Sequence, residues 1–232
     1  MTEPHPQQVL PQMTDVWQQT LHWQPTATQQ QLFQSLYQLI LTGNAKLNLT
    51  RITDPIAFWE KHLWDSLRPM APLLTDDALS PNNARTIDIG TGAGFPGLPV
   101  AIAFPHSSLT LLDATGKKIA FLQTLLAQMA IENATTAIGR AETIGQQPRY
   151  REKYDFALLR AVATATVCLE YALPFLKVGG LAILYRGHWT PAEAEAFAGT
   201  AEALGACIES TVTFTTPISH ATRHCLYVRK CD

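Results

Sequence analysis

The densest run of chemistry-bearing residues is Asp88-Ile89-Gly90-Thr91-Gly92-Ala93-Gly94-Phe95-Pro96-Gly97. It follows a short β-rich run and precedes one of helical composition, so it reads as a glycine turn joining a strand to a helix. Such a turn lies at the carboxyl edge of an open α/β sheet, where ligands bind and where side chains would block a close approach to backbone. A second acid, Asp113, ends the next β-rich run, 19 residues after Gly94. Gly92-x-Gly94-x-x-Gly97 followed by Asp113 satisfies the dinucleotide fingerprint, so NAD is one candidate ligand. Two details weigh against a pyrophosphate. Pro96 and Pro99 remove N–H donors at the helix start, and Asp88 places a negative charge beside the turn. A cation without phosphate suits the place better. S-adenosylmethionine carries a sulfonium and an ammonium, and Asp113 can accept hydrogen bonds from both ribose hydroxyls. The plainer alternatives are that Asp88 braces the turn through its N–H groups and that Asp113 caps the following helix.

Elements must hold these residues in place. The strands read from the sequence are Thr86–Ile89, Leu109–Leu112, Thr135–Ile138, Asp155–Leu159, Leu181–Tyr185 and a closing pair near Ile208–Phe214 and Cys225–Arg229. Helical stretches at Leu98–Phe104, Lys117–Met129, Thr166–Leu176 and Ala192–Leu204 alternate with them, which specifies a parallel sheet with helices on both faces, closed by a hairpin. The first quarter differs. Leu32, Phe33, Leu36, Tyr37, Leu39 and Ile40 recur at helical spacing in a run expected to stop at Gly43-Asn44. Asp54-Pro55 then opens a second helix, with Phe58, Trp59, Leu63, Trp64 and Leu67 on its apolar face, expected to end by Pro69 and Pro72. The division is a helical extension over residues 1–80 and an α/β domain over 81–232.

Composition bounds the possibilities. The chain has 232 residues, 47% apolar and 16% charged, enough for one good core. No apolar run approaches a membrane span, and the first residues resemble no secretory signal, so a cytoplasmic location is expected. Cys168, Cys207, Cys225 and Cys231 lie far apart without a Cys-x-x-Cys pair and read as packing or chance residues. No metal is expected: His220 and His224 are four apart but lie on a β segment without the glutamate of a zinc helix. Net charge is −2, so affinity for nucleic acid requires a local concentration of bases. Residues 117–186 supply one, with nine bases against five acids, whereas residues 187–222 carry four acids and neither Lys nor Arg and are expected to face away from RNA.

The glycine turn, joined to Leu111-Leu112-Asp113-Ala114-Thr115-Gly116-Lys117-Lys118-Ile119-Ala120-Phe121-Leu122, resembles the RsmG family, also called GidB. Asn48-Leu49-Thr50-Arg51-Ile52, His62-Leu63-Trp64-Asp65-Ser66-Leu67, Gly139-Arg140-Ala141-Glu142 and Arg160-Ala161-Val162-Ala163 match further family blocks in the same order. The resemblance covers about residues 30–190 and implies the Rossmann-like fold of class I S-adenosylmethionine-dependent methyltransferases: a mostly parallel, seven-stranded α/β sheet with an N-terminal helical extension. It implies transfer of a methyl group to N7 of a guanine in bacterial 16S rRNA, free or in a small-subunit particle. Carried over residue by residue, Gly90 and Phe95 would touch the cofactor, Asp113, Ala114 and Thr115 would hold its ribose side, and Ala141 and Glu142 would flank adenine. Arg160 would contact the cofactor at the mouth of the site. The family's lysine after the fifth strand is replaced by Arg186.

Methylating N7 needs no catalytic acid or base, because that nitrogen offers a lone pair with no proton to remove; alignment and desolvation would supply the rate. Lys117, Lys118, Arg140 and Arg160, with Arg51 and His62 from the extension, are the candidates for gripping RNA phosphates, although a histidine on a helix is more often packed than in contact with a base. Two rival readings stand beside this one: an NAD-dependent oxidoreductase, and a non-catalytic RNA-binding or assembly module. The oligomeric state is open, with a monomer favoured.

Overall fold

The computed structural model describes residues 8–75 and 83–231. Seven strands form one sheet in the order β3-β2-β1-β4-β5-β7-β6. They are β1 (Arg85–Ile89), β2 (Ser108–Asp113), β3 (Ala134–Ile138), β4 (Tyr154–Arg160), β5 (Leu176–Arg186), β6 (Ala206–Thr215) and β7 (Thr222–Lys230). The first five run parallel, and β7 pairs antiparallel with both β5 and β6. This is the expected order of elements, and the buried central strands explain its legibility: Thr-Ile-Asp-Ile in β1 is covered on both faces, as parallel strands between helix layers must be. Five helices complete this part: α6 (Gly97–Ala103), α7 (Gly116–Gln128), α8 (Ala141–Ile144), α9 (Ala165–Ala172) and α10 (Pro191–Ala203), of which α8 is the shortest, and a long helix of the extension, α2 (Ala27–Leu47), packs on α6 and α7.

The extension contains α1 (Thr14–Leu21), α2 (Ala27–Leu47), α3 (Pro55–Phe58), a π-helical turn (Trp59–Trp64), α4 (Asp65–Leu67), a 3-10 turn (Arg68–Met70) and α5 (Ala71–Thr75). Asp54 caps α3 as expected, its Oδ1 accepting the Ala57 N–H at 2.8 Å. Two boundaries differ from the sequence reading. First, α2 does not stop at Gly43-Asn44 but runs to Leu47 and is capped by Asn48. Gly43 is there for packing: a Cβ at that position would sit 2.3 Å from the Phe121 ring of α7. Second, the helical path continues past Pro69 and Pro72 to Thr75, because Pro69 occupies a 3-10 turn and Pro72 opens α5, where a missing N–H costs little. The stretch Thr166–Leu176 is likewise cut at Ala172, and Leu176 begins β5.

The cysteine reading needs correction. Cys168 and Cys225 are buried and free, but Cys207 and Cys231 form a disulfide with their Cα atoms 6.1 Å apart. Antiparallel pairing sets Cys207 opposite Arg229, two residues from Cys231, a proximity that a separation of 24 residues in sequence does not reveal.

One hydrophobic cluster joins the extension to the sheet. Trp17, Phe33, Tyr37, Trp59 and Trp64 share it with Leu98, Leu111 and Leu122. Polar ties reinforce the contact: Gln29 donates to the Ile102 carbonyl at 3.0 Å, and the buried Glu60 accepts the Ile218 and Ser219 N–H groups at 2.7 and 2.8 Å. Among the described residues no helix is long and apolar enough to cross a membrane.

Candidate functional site

The glycine turn is built from its own hydrogen bonds. Asp88 is fully buried, and its Oδ2 accepts from Thr91 Oγ1 at 2.6 Å and from the Gly97 N–H at 2.8 Å. Asp113 reaches back from the tip of β2, with Oδ2 accepting the Gly92 N–H at 2.9 Å and Oδ1 the Thr115 N–H at 2.8 Å. Gly90 and Thr91 both donate to the Leu112 carbonyl, Gly94 and Phe95 to that of Thr91, and Leu98 to that of Gly94. Pro96 and Pro99 have no N–H to offer. The donors at the start of α6 are therefore spent, and a pyrophosphate would find almost none of the N–H groups that hold one in a dinucleotide-binding turn.

The carboxylates tell the complementary story. Asp88 Oδ1 is buried without any hydrogen-bond partner. Burial pushes the Asp88 carboxyl up to about 6, against the opposing hydrogen bonds from Thr91 and Gly97. An underpartnered carboxylate beneath the turn is suited by a positive ligand, which is the charge S-adenosylmethionine carries. Gly90 holds φ +72° with its Cα facing Val162 so closely that a Cβ would lie 2.7 Å from that side chain, so the turn floor can only be glycine.

A cleft opens at this edge. Its walls are Gly90 of the turn, Asp113-Ala114-Thr115 after β2, Gly139-Arg140-Ala141-Glu142 after β3, and Val162 with Tyr171. Six of the eight residues expected at the cofactor are thus brought together: Gly90, Asp113, Ala114, Thr115, Ala141 and Glu142. Arg140, expected at RNA, stands on the same rim. The cleft offers small side chains on its floor and a carboxylate on each side, which fits a nucleoside that has free ribose hydroxyls and no phosphate.

Phe95 and Arg160 are placed elsewhere. The Phe95 ring is buried and stacked on His62, ring centres 4.3 Å apart and 13° from parallel. The Arg160 guanidinium lies 5.7 Å from the Phe95 ring centre, within cation–π range. Its Nη1 donates to the Lys61 carbonyl at 2.8 Å and faces Asp65 Oδ2 at 3.4 Å. Asp65 also meets Arg223, at 3.6 Å. The π-helical turn presents the Lys61 carbonyl and His62 side by side toward the tip of β4. His62 is a packed residue rather than a phosphate ligand: it is buried, its Nε2 lies 2.8 Å from Thr50 Oγ1, and burial, with the charges of Arg160 and Lys61, pushes it down to about 3. Arg51, Lys117 and Arg140 are exposed and Lys118 is partly so. None of the four forms an ion pair among the described residues. No group of three His, Cys, Asp or Glu side chains that could hold a metal occurs among the described residues.

Residues 29–224 match the GidB family, rRNA small subunit methyltransferase G. The chain belongs to this family. It is 59% identical over 222 residues to the ribosomal RNA small subunit methyltransferase G of Nostoc punctiforme, covering 96% of this chain and 91% of the relative. It is 49% identical over 223 residues to that of Microcystis aeruginosa, covering 96% and 99%. Solved structures agree in fold: TYW2 of M. jannaschii in complex with AdoMet superposes with a TM-score of 0.54 at 12% identity, over 71% of this chain and 74% of that one. TYW2 of P. horikoshii with MeSAdo gives 0.55 at 14% identity, over 72% and 62%. The chain is thus a methyltransferase of the rRNA-modifying kind that uses S-adenosylmethionine.

Sequence reasoning passed over several residues at this edge. Asp65 lies inside the His62-to-Leu67 block but had no role there. Val162 and Tyr171 reach the cleft as ordinary apolar residues, Glu193 reaches Arg186 from the first turn of α10, and Arg223 and His224 approach β4 only through the antiparallel pairing of β5 with β7.

Proposed function

We propose that this chain transfers a methyl group from S-adenosylmethionine to N7 of a guanine in 16S rRNA, free or within a small-subunit particle, acting as a single chain in the cytoplasm. The observation that carries the cofactor half is the underpartnered Asp88 carboxylate beneath a turn whose N–H groups are already used. When bound, the cofactor supplies an electrophilic methyl group on a sulfonium. The residues of the chain do the rest. Asp113 holds the turn in register with β2 and keeps lone pairs free for hydroxyl donors. Ala114, Thr115, Ala141 and Glu142 border the space for the adenosine. Phe95 and Arg160 stiffen the neighbouring wall, with Arg160 at the mouth and within reach of a ligand as well as of Asp65.

N7 carries a lone pair at neutral pH, so no side chain has to remove a proton, and reaction depends on alignment in a site from which water is excluded. In an A-form helix N7 is hidden in a deep groove, so an opened or looped target is the accessible form. Lys117 and Lys118 support the RNA half. They occupy the first turn of α7, where the helix dipole disfavours cations, and their unpaired charge is free to meet phosphate. The test replaces the methylated guanine, once mapped, by 7-deazaguanine in the same RNA. Wild-type enzyme with labelled cofactor is expected to label the guanine RNA and leave the deaza RNA blank; equal labelling of both rules out N7.

A further inference from the structure

A second cleft of about 280 Å³ opens on the other side of the β4 tip. Arg160 and Ala161 line it, whereas the next residue, Val162, lines the Asp113 cleft. The two spaces are therefore separated by a single turn of backbone, in which Ala161 takes φ +56°, a left-handed conformation unusual for a side-chain-bearing residue. Strained backbone of this kind concentrates at working sites.

The walls of this second cleft are polar and incompletely satisfied. Arg186 on β5 and His224 on β7 are cross-strand partners. Arg186 Nε and His224 Nδ1 are both buried without a hydrogen-bond partner. Buried polar atoms are nearly always paired, so two orphans on one cross-strand pair, in one cleft, point to a missing ligand. The rest of the Arg186 guanidinium is held in place, with Nη1 donating to the Ala163 carbonyl at 2.8 Å and Nη2 facing Glu193 Oε1 at 3.4 Å. Glu193 is in turn fixed by Thr190, whose N–H and hydroxyl reach Oε2 at 2.9 and 3.1 Å. Phe214 adds an apolar ring to the lining.

A donor fork beside an oriented carboxylate is the complement of one nucleobase edge. Guanine presents O6, an acceptor, next to N1–H and the exocyclic amine, both donors. A phosphate presents acceptors alone and would leave the Glu193 carboxylate facing it without a donor, whereas Asp65 is already matched by Arg160 and Arg223. We propose that this cleft is the acceptor-base pocket, in which Arg186 donates to O6 while Glu193 accepts from N1–H and the exocyclic amine. Held by that edge, the base leaves N7 free to face the methyl donor across the tip of β4. This assignment rests on the guanine-N7 reading above and names the residues that make it specific.

The experiment measures single-turnover methylation of RNA carrying guanine or inosine, which lacks the exocyclic amine, at the target nucleotide. Wild type is expected to prefer guanine by roughly tenfold to a hundredfold, the value of a charged hydrogen bond. Glu193→Gln should keep the Thr190 contact, bind cofactor normally by calorimetry, and bring the guanine-to-inosine ratio close to one. Arg186→Met should slow both RNAs alike with cofactor affinity unchanged, and Arg186→Lys should recover part of the rate. An unchanged ratio in Glu193→Gln overturns the proposal. So does an Arg186→Met variant that only weakens RNA binding and flattens its salt dependence, the signature of a phosphate contact. A wild type that leaves N7 of guanine untouched in the same RNA sinks the parent reading too, and is distinguishable because it needs no variant.

Discussion

Asp113 does two jobs with one carboxylate. It fixes the glycine turn through Gly92 and the start of α7 through Thr115, and it borders the cleft for the cofactor. Asp113→Ala removes charge-assisted hydrogen bonds, so calorimetry with S-adenosylmethionine should show binding weaker by about 1.5–3 kcal/mol. His62 yields a prediction of a different kind. An unfolded histidine takes up a proton near pH 6.5, whereas the buried one resists protonation down to about 3. The unfolded chain therefore binds the extra proton throughout that interval, and stability falls as pH drops through it, by about 1.4 kcal/mol per unit. Asp88 works in the opposite sense. Its raised value of about 6 means its contribution is present in acid and lost as pH rises toward 6. Comparing urea unfolding of wild type with His62→Gln from pH 7 to 4.5 isolates the histidine, since Asp88 is common to both. The stability advantage of wild type over the variant should shrink steadily below pH 6.5. A constant difference means that His62 titrates normally.

The strands and helices around the sheet were legible because their signals are local. Alternating β-rich and helical runs need only composition and order, and the glycine turn needs only its spacing. What stayed illegible depends on distant partners. Gly43 resembles a stop signal until Phe121 of α7 is seen against it, and Cys207 resembles a stray thiol until β7 brings Cys231 beside it. The π-helical turn is similar: Trp59–Trp64 has ordinary helix-forming residues, and its irregular winding serves Arg160, which is 99 residues from Lys61. Gly43→Ala tests the packing account. Alanine is worth about 1 kcal/mol more than glycine in a helix interior, but crowding the Phe121 ring costs about 1–3 kcal/mol. The balance should be a loss of about 1 kcal/mol in denaturant unfolding, and the same substitution in a Phe121→Ala background should be neutral or stabilising. Stabilisation by Gly43→Ala alone contradicts a packing role.

At the scale of the molecule, the charge distribution explains how a chain of net charge −2 can serve an RNA substrate. Arg140 lines the Asp113 cleft after β3, and Lys117 and Lys118 follow the tip of β2 in the first turn of α7. Neutralising one phosphate contact changes the slope of log affinity against log salt by about one. Lys118→Ala should reduce the measured slope by that amount while leaving cofactor binding unchanged, and an unaltered slope removes Lys118 from the RNA footprint. The expectation that residues 187–222 turn away from RNA meets one exception in the base-pocket proposal, where Glu193 faces the same cleft as Arg186. Its role depends on a local contact with Arg186 at 3.4 Å from the capped start of α10, which the count of acids in that segment does not register.

The apolar cluster shared by Trp17, Trp59 and Trp64 with Leu98, Leu111 and Leu122 has a bearing on descent as well as on folding. Because the opening helices complete the interior of the part that follows, neither portion can be exchanged for a foreign counterpart without leaving bare hydrocarbon on both. Substitutions along this seam must arise in matched sets, so the two portions are bound to change together, as one heritable unit.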